Sequence, residues 1–362
     1  MNLSEIRLRR LNNQHLIQTQ CASPADVVRW FGAMQGQEYP VSLWAIGQRI
    51  PGATEQRVEQ AIAERAIVRT WPMRGTVHYV PAEDTCWMVQ LMAPRVIQKY
   101  RSIYQKVGIN EEIIARSREI FVRALEGGRQ RTRRELYQLL HAEGIETTNN
   151  RGGHIVGQLA QEGLICVTER QGKHPTVALL DEFAPNGRVL PREEALAEIA
   201  LRYFRSHGPA TIRDFAWWTG LTTTDARAGL EAVKGQLIAE TVDTQQFWSM
   251  DLPLRAPAAE GTLHLLSDFD EYLVAYKDRS AALDPRYAWL QDPYTHLGPV
   301  LLIDGQVCGV WKKTVLGGRL VMEITLARPL TGSETDRLDA EIRRYAEFLE
   351  MPAAPAQLRV RE

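Results

Sequence analysis

The segment Met34-Gln35-Gly36-Gln37-Glu38-Tyr39-Pro40 decides how the first part of this chain is organised. It follows a stretch with good helix signals, in which Ser23 is placed to cap a helix and Pro24 to occupy its first turn. We predict that this helix runs to Gln35 and stops at Gly36, because glycine tolerates the left-handed conformation that ends many helices.

The two glutamines of this segment are the first candidate catalytic residues. Side chains two residues apart share a face of an extended chain, so a helix that breaks at Gly36 lets Gln35 and Gln37 aim at one point. Their carboxamides can hold a water molecule or stabilise a developing cation, although they are not strong bases. The same spacing also suits glutamines that only cap helix ends or bond to solvent, so spacing alone leaves both interpretations open.

Length and composition indicate an ordinary globular protein. With 362 residues, the chain is long enough for two or three domains. No apolar run approaches the roughly 20 residues that a membrane span needs, and no apolar secretory segment is present near the first residue. The four cysteines, Cys21, Cys86, Cys166 and Cys308, form no CxxC pair. We therefore expect a cytoplasmic protein with no metal, no disulfide framework and no membrane partner.

The distribution of charge is uneven although the net charge is only -1. Between Arg95 and Arg134 the sequence contains eleven arginines and lysines against four glutamates, a local excess of about +7. Such an excess forms a positive surface if the residues share a face, which suits a nucleic-acid partner. A solvated helical face is the alternative interpretation.

A pattern of helices followed by a β-hairpin occurs three times. In the first copy, the β-rich runs 67–71 and 76–80 flank the turn 72–75. Helices followed by a hairpin are typical of a winged helix. Similar hairpins are predicted at 164–180 and at 237–250. The repeat is one of fold and not of sequence.

We predict a mainly α protein with β-hairpins, of the α+β class. Its expected parts are a first winged helix (1–93), a basic helical linker (94–130), a second winged helix (131–190), a third (191–252), and a small C-terminal antiparallel β-domain with a closing helix (253–362).

Basic side chains on the predicted hairpins are candidate DNA contacts. Arg74 and His78 belong to the first hairpin, and Lys173 and His174 to the second. Arg151 is placed near the start of a helix of the second unit, where a DNA-reading helix begins in related motifs. Hairpin tips are also polar simply because they face solvent. The alternative interpretation is therefore that these side chains are solvated and contact no DNA.

A second group of polar and aromatic residues lies in the C-terminal part. Asp270, Tyr276, Asp278 and Arg279 form a dense cluster in sequence, for which we predict an internal network of ion pairs and hydrogen bonds near the cleft. No phosphate-binding loop, metal-ligand spacing or serine-nucleophile motif is present, so no cofactor is expected.

Three segments together carry a resemblance to a known family. They are 34–40 leading into Leu43-Trp44-Ala45, then 74–84, and then 269–279 with its Phe269-Asp270-Glu271-Tyr272 start. In this order they resemble the AlkZ/YcaQ-type winged-helix DNA glycosylases, and the resemblance covers nearly the whole chain. The catalytic Gln-x-Gln motif of the AlkZ-like branch falls on Gln35 and Gln37. The YcaQ-like branch has Gln-x-Asp, and no carboxylate stands at position 37.

The resemblance implies both architecture and activity. It implies tandem winged helices around a concave surface wide enough for double-stranded DNA, which is the expected partner. For a DNA-repair enzyme of this shape we expect a monomer. It implies monofunctional excision of bulky N7-alkylated purines and unhooking of interstrand crosslinks, with Gln35 and Gln37 positioning a water and stabilising an oxocarbenium-like sugar. Two alternatives remain: a non-catalytic winged-helix DNA-binding protein such as a transcription regulator, and a protein-interaction scaffold.

Overall fold

The computed structural model describes residues 1–18, 21–254, 261–290 and 298–361. The first unit contains α1 (Leu3–Asn13), α2 (Pro24–Phe31), β1 (Met34–Gln35), α3 (Tyr39–Gly47), α4 (Glu55–Ala63), β2 (Ile67–Met73) and β3 (Thr76–Pro81). The hairpin β2–β3 confirms the wing predicted from the sequence.

Helix α2 starts as predicted but ends earlier. The Ser23 hydroxyl accepts the Asp26 N–H at 3.2 Å and caps the helix. The helix ends at Phe31, because Gly32 takes a φ of 83° and turns the chain. The prediction that the helix runs to Gln35 and stops at Gly36 was therefore wrong. Instead, Met34 and Gln35 are extended, because they pair with strand β3.

The second unit is built mainly of helices. It contains α5 (Thr85–Lys106), α6 (Glu111–Leu125), β4 (Arg131–Thr132), α7 (Arg133–Ala142), α8 (Arg151–Gln161), β5 (Ile165–Gln171), β6 (His174–Leu179) and α9 (Leu180–Phe183). Helix α5 continues through Pro94. The predicted domain boundary at 93/94 consequently falls inside a single helix.

One sheet joins the first two units. Its strand order is β1-β3-β2-β5-β6-β4, and the two hairpins meet where Arg69 of β2 faces Val167 of β5 in an antiparallel pair. The two wings therefore form one continuous surface, which places the short strand that carries Gln35 at one edge of the sheet.

The third unit has its own small sheet. It contains α10 (Arg192–Ser206), α11 (Ile212–Thr219), α12 (Thr223–Val233), β7 (Ile238–Val242) and β8 (Gln245–Ser249). In the part of the chain that the structure describes, strands β7 and β8 form a two-stranded sheet. Helix α11 begins with a capping box in which Thr211 and Asp214 exchange hydrogen bonds, and such caps fix where a helix starts.

The C-terminal part is a five-stranded sheet closed by a helix. It contains β9 (Leu263–Leu266), α13 (Glu271–Val274), β10 (Val300–Ile303), β11 (Gln306–Leu316), β12 (Arg319–Leu326), α14 (Gly332–Phe348) and β13 (Gln357–Val360). The order is β13-β12-β11-β10-β9, antiparallel except for the β12–β13 pair. The predicted fold class is thus confirmed. The boundary expected after Leu252 leads into 255–260, which lie outside the described residues.

The first unit and the C-terminal sheet share one hydrophobic core. Trp44 of α3 packs between Tyr345 and Phe348 of α14, and its indole N–H donates to the Leu265 carbonyl at 2.7 Å. This packing holds the segment after Gln37 against the C-terminal part. Among the described helices, none is both long and apolar enough to cross a bilayer.

Candidate active site

The Gln-Gly-Gln segment is held in place by the backbone of β3. Gln35 faces His78 in the antiparallel pair β1–β3, and the Gly36 N–H donates to the Val77 carbonyl at 2.8 Å. The side-chain oxygen of Gln37 accepts the Val77 N–H at 3.2 Å. Both ends of the segment are thus anchored on the first wing, and the chain then enters α3 at Tyr39.

The two glutamine side chains have different surroundings. Gln37 is exposed, whereas Gln35 has only 6% of its surface exposed. The Gln35 side-chain oxygen is buried and has no hydrogen-bond partner within the described residues. An unsatisfied buried amide oxygen is costly, and such groups are concentrated at sites where a ligand or water completes the bond. Its lone pairs could bond to a water or face a developing positive charge, although in this conformation the oxygen itself is closed off from solvent.

A buried carboxylate lies behind Gln35. Glu271 Oε1 accepts the Gln35 backbone N–H at 2.8 Å, and Glu271 Oε2 accepts the indole N–H of Trp218 at 2.9 Å and His207 Nε2–H at 3.3 Å. Although burial by itself raises the pKa of Glu271, the hydrogen bond from His207 and the nearby charge of Arg74 outweigh it and lower that pKa. Glu271 is therefore ionised and links the first unit, α13 and the third unit.

Arg74 and His78 face the interior and not the tip of the wing. His78 is completely buried, its Nδ1–H donates to the Thr76 carbonyl at 2.9 Å, and its Nε2 accepts an Arg74 N–H at 3.2 Å. Burial and the charge of Arg74 lower the pKa of His78 to about 3, so His78 is neutral. A buried His78 has no surface with which to touch DNA directly. Its contribution to a DNA site would be to orient the half-buried Arg74.

The other predicted DNA contacts lie on the second unit. Lys173 and His174 are exposed at the tip of the β5–β6 hairpin, as a wing contact requires. Arg151 is the first residue of α8 and is half-buried, and it donates to the carbonyls of Glu146 (3.2 Å) and Gly108 (3.3 Å). Any phosphate contact by Arg151 would use its remaining N–H groups. The three assignments stay predictions.

The predicted polar cluster divides into a buried and an exposed part. Asp270 forms a two-point ion pair with Arg49, each oxygen at 2.9 Å, and both side chains are buried. The Tyr276 hydroxyl donates to the His207 carbonyl at 2.7 Å, next to Glu271. In contrast, Asp278 is exposed and accepts the Ser280 N–H, and Arg279 donates to the Leu273 carbonyl. Within the described residues these four side chains do not form one network.

Several residues of the site were not singled out from the sequence. Glu271 lies inside the segment that carries the family resemblance, but nothing in its spacing shows that it bonds to Gln35. Arg49, His207 and Trp218 are separated from it by long stretches of chain, so only the fold brings them together.

A cleft of about 320 Å³ opens beside Gln37. It lies where the first wing meets the second unit, and its polar wall is formed by Gln37, Arg69, Thr132, Arg133, Arg134 and His174. Within the described ranges no group of three or more His, Cys, Asp or Glu side chains is arranged to hold a metal ion. The site thus offers neutral amides and cations, which suits a phosphate-bearing substrate with a good leaving group.

Comparisons with known proteins identify relatives of this chain. A family model described as DNA glycosylase AlkZ-like matches residues 28–348. The chain is similar to an interstrand DNA cross-link repair glycosylase of Streptomyces sahachiroi, with 25% identity over 320 residues that cover 84% of this chain and 85% of that protein. The fold is similar to the solved structure of Streptomyces sahachiroi DNA glycosylase AlkZ, with a TM-score of 0.82, 22% identity and 99% coverage of both chains.

Proposed function

We propose that this chain, which belongs to the AlkZ-like DNA glycosylase family and is therefore a hydrolase of N-glycosyl bonds, removes bulky N7-alkylated purines from double-stranded DNA. The single observation that carries the substrate class is the neutral chemistry of the Gln35–Gln37 segment. A site without a strong base at this segment suits a base that is already a good leaving group.

The chemistry needs little proton transfer to the base. An N7-alkylated purine is cationic, so the bond between C1′ and N9 breaks with its electron pair going to N9, and the purine leaves neutral. The sugar then has oxocarbenium character. A water oxygen adds to C1′ and its proton passes to solvent. The protein must position that water and orient dipoles toward C1′.

The two glutamines divide these tasks in our proposal. The Gln35 oxygen has no protein partner in the described residues, and it faces the developing charge or holds the water once DNA binding opens the segment that now buries it. The Gln37 oxygen is bound to the Val77 N–H, which fixes the side chain and leaves its second lone pair available. No lysine that could form a Schiff base is needed, so the enzyme is monofunctional.

We extend the proposal to crosslinked DNA. The name of the Streptomyces sahachiroi relative is that of an interstrand cross-link repair enzyme. A crosslinked purine cannot rotate freely into a closed pocket, so unhooking needs an open cleft. Gln37 is exposed and lines a cleft, which supports access for such a lesion. We further propose that the protein acts as a monomer in the cytoplasm.

A base-release assay tests the proposal. Duplexes with a single N7-methylguanine, with a bulkier N7 adduct, or with an N7–N7 crosslink are incubated with the protein, and released base and abasic sites are measured. We expect release from the alkylated duplexes and none from undamaged DNA. Tight, salt-sensitive DNA binding with no release from any duplex would instead support a non-catalytic regulator.

A further inference from the structure

The cleft beside Gln37 has an unusual charge arrangement. Arg69 of β2 forms part of its wall, and this side chain has only 4% of its surface exposed. One N–H group of Arg69 donates to the Gly36 carbonyl at 2.9 Å. Its Nε and Nη1 are buried and have no hydrogen-bond partner in the described part of the chain. A buried guanidinium without an anion is costly, so this arrangement indicates a missing partner.

The contacts that Arg69 does make are to aromatic rings. Its guanidinium lies 4.2 Å from the ring centre of Tyr39 and 5.4 Å from that of Tyr79. These contacts offset part of the cost of burial and hold the side chain in place. They do not neutralise its charge. Arg69 and Arg133 both line the cleft, so two cations face the same space. Burial lowers the pKa of Arg69, and the charge of Arg133 lowers it further.

The remaining cations of the cleft come from the second unit. Arg133 and Arg134 begin α7 and are exposed, and His174 is exposed at the wing. Arg133 also lies over the ring of Trp71, at 5.7 Å from its centre, which directs it toward the first unit. Among the described residues, neither arginine forms an ion pair with a carboxylate within 4.0 Å.

Two of the nearby carboxylates, Glu59 and Glu135, are already engaged. Glu59 accepts the Tyr39 hydroxyl at 3.0 Å and is paired with Arg170. Glu135 caps α7 by accepting the Thr132 N–H at 2.7 Å, and it lies 3.5 Å from Arg131. The cleft consequently keeps a positive potential.

We propose that this cleft binds one phosphate of the DNA backbone, next to the nucleotide that is excised. The proposal rests on the proposed function. Arg133, Arg134 and His174 are the exposed donors that contact the phosphate oxygens, and Arg69 supplies positive charge from behind. Because Gln37 lines the same cleft, a phosphate held there fixes the position of the neighbouring sugar relative to the amides. The site positions substrate and takes no part in bond breaking.

The test replaces single phosphates by neutral linkages. A duplex with one N7-methylguanine is prepared as a series in which one methylphosphonate is moved stepwise along each strand near the lesion. Single-turnover base release and equilibrium binding are measured for each duplex. We expect one linkage within a nucleotide of the lesion to lower release by about tenfold or more, the scale of a lost charge-assisted contact.

Variants of the cleft arginines test whether the sensitive linkage is the phosphate that the cleft binds. In Arg133→Ala and Arg134→Ala, release from the fully charged duplex falls, and the neutral linkage at the sensitive position causes little further loss. The exposed Arg227→Ala, on α12 of the third unit, serves as the matched control and keeps the full sensitivity. The salt dependence of binding should become shallower by about one unit in each cleft variant only.

The outcomes separate the two proposals. If all linkages are equivalent, or if the sensitive linkage keeps its full effect in both cleft variants, the phosphate site is refuted while the glycosylase assignment stands. If no base is released from any duplex, the proposed function fails. In that case the binding measurements alone test the phosphate site: it is supported if one neutral linkage weakens binding by the unmodified protein but not by the cleft variants, and refuted if no linkage does so.

Discussion

Glu271 Oε1 accepts the backbone N–H of Gln35 at 2.8 Å, although the two residues are 236 positions apart in the chain. The same carboxylate accepts the Trp218 indole N–H at 2.9 Å. A single buried anion thus holds the strand that carries Gln35 against the third unit. If Gln35 acts as proposed, Glu271 is a positioning residue, because it touches the backbone of Gln35 and not its side chain.

The first prediction concerns Glu271→Gln. The amide keeps the shape but replaces one acceptor oxygen by a donor, which leaves a buried N–H without a partner and lowers the free energy of unfolding by about 1–3 kcal/mol. We also expect base release to fall by about tenfold, because Gln35 loses its anchor. Chemical denaturation and single-turnover release measure the two effects.

A double-mutant cycle distinguishes positioning from general stability. In a Gln35→Ala background, Glu271→Gln should lower release no further, because its effect passes through Gln35. Glu341→Gln is the matched control, since Glu341 is also buried and lies near a backbone N–H, that of Leu265 at 3.5 Å. Fully additive losses in release would show that Glu271 has only a structural role.

The second prediction concerns the two glutamines themselves. Gln35→Met keeps the approximate size of the side chain and removes a buried oxygen that has no partner in the described residues. We therefore expect the free energy of unfolding to rise by about 1 kcal/mol while release falls by about 10²-fold. Opposite signs for stability and activity are typical of a site selected for function.

Gln37→Ala should lower release by roughly 10²-fold as well, the loss expected for one positioned polar group. The exposed Gln60 on α4 is the control, and Gln60→Ala should leave release unchanged. Release close to that of the unmodified protein in Gln37→Ala would contradict the assignment of Gln37.

The sequence predicted the architecture well because repeated local patterns carry it. The β2–β3 wing follows from two β-rich runs around a turn, and α2 starts at Ser23 as its cap requires. The error at the end of α2 has a physical cause. The sequence does not distinguish a glycine that ends a helix from a glycine that lets the backbone approach a neighbouring side chain. Here Gly32 ends the helix, and Gly36 allows the backbone to lie against the ring of Tyr79.

The environment of the candidate site was much less predictable. The family motif pointed to Gln35 and Gln37. That Gln35 is buried and Gln37 exposed depends on packing against β3 and α13, which the motif does not show. His78 illustrates the limit, since its place on a hairpin suggested a DNA contact and its zero exposure excludes a direct one in this conformation. Long-range partners such as Glu271 have no local signal.

The third prediction is that acid destabilises the fold. Burial lowers the pKa values of His78 and His264 to about 3 in the folded protein, against about 6.5 in the unfolded chain. Between about pH 6.5 and pH 3, the unfolded chain therefore binds more protons than the folded protein does. The stability from each neutral histidine is fully present above about pH 6.5 and is lost as the pH falls toward 3, at about 1.4 kcal/mol per pH unit.

Urea denaturation between pH 7.5 and 5 measures this dependence. His264→Leu should reduce the slope by about 1.4 kcal/mol per pH unit below pH 6.5, because one of the buried histidines that produce the slope is removed. His174→Ala, at an exposed position, should leave the slope as it is. A slope that is identical in His264→Leu and the unmodified protein would count against the assignment.

The last prediction uses the glycine between the two glutamines. A Cβ at position 36 would lie 2.9 Å from a ring carbon of Tyr79, which is buried and whose hydroxyl is 2.9 Å from that of Ser42. Gly36→Ala must therefore push the segment away from β3. We expect base release to fall by about tenfold or more, because a small displacement of both amides relative to the sugar removes their alignment.

The control for this change is Gly157→Ala in α8. A Cβ there meets nothing within 4 Å, and the position is inside a helix. Alanine should raise the free energy of unfolding by about 0.5–1 kcal/mol, since glycine is unfavourable in a helix interior, with no change in release. Loss of release in Gly36→Ala, with a fold that still unfolds cooperatively, would locate the defect at the spacing of the two glutamines. If Gly36→Ala releases base as fast as Gly157→Ala, close contact with Tyr79 is not needed for catalysis.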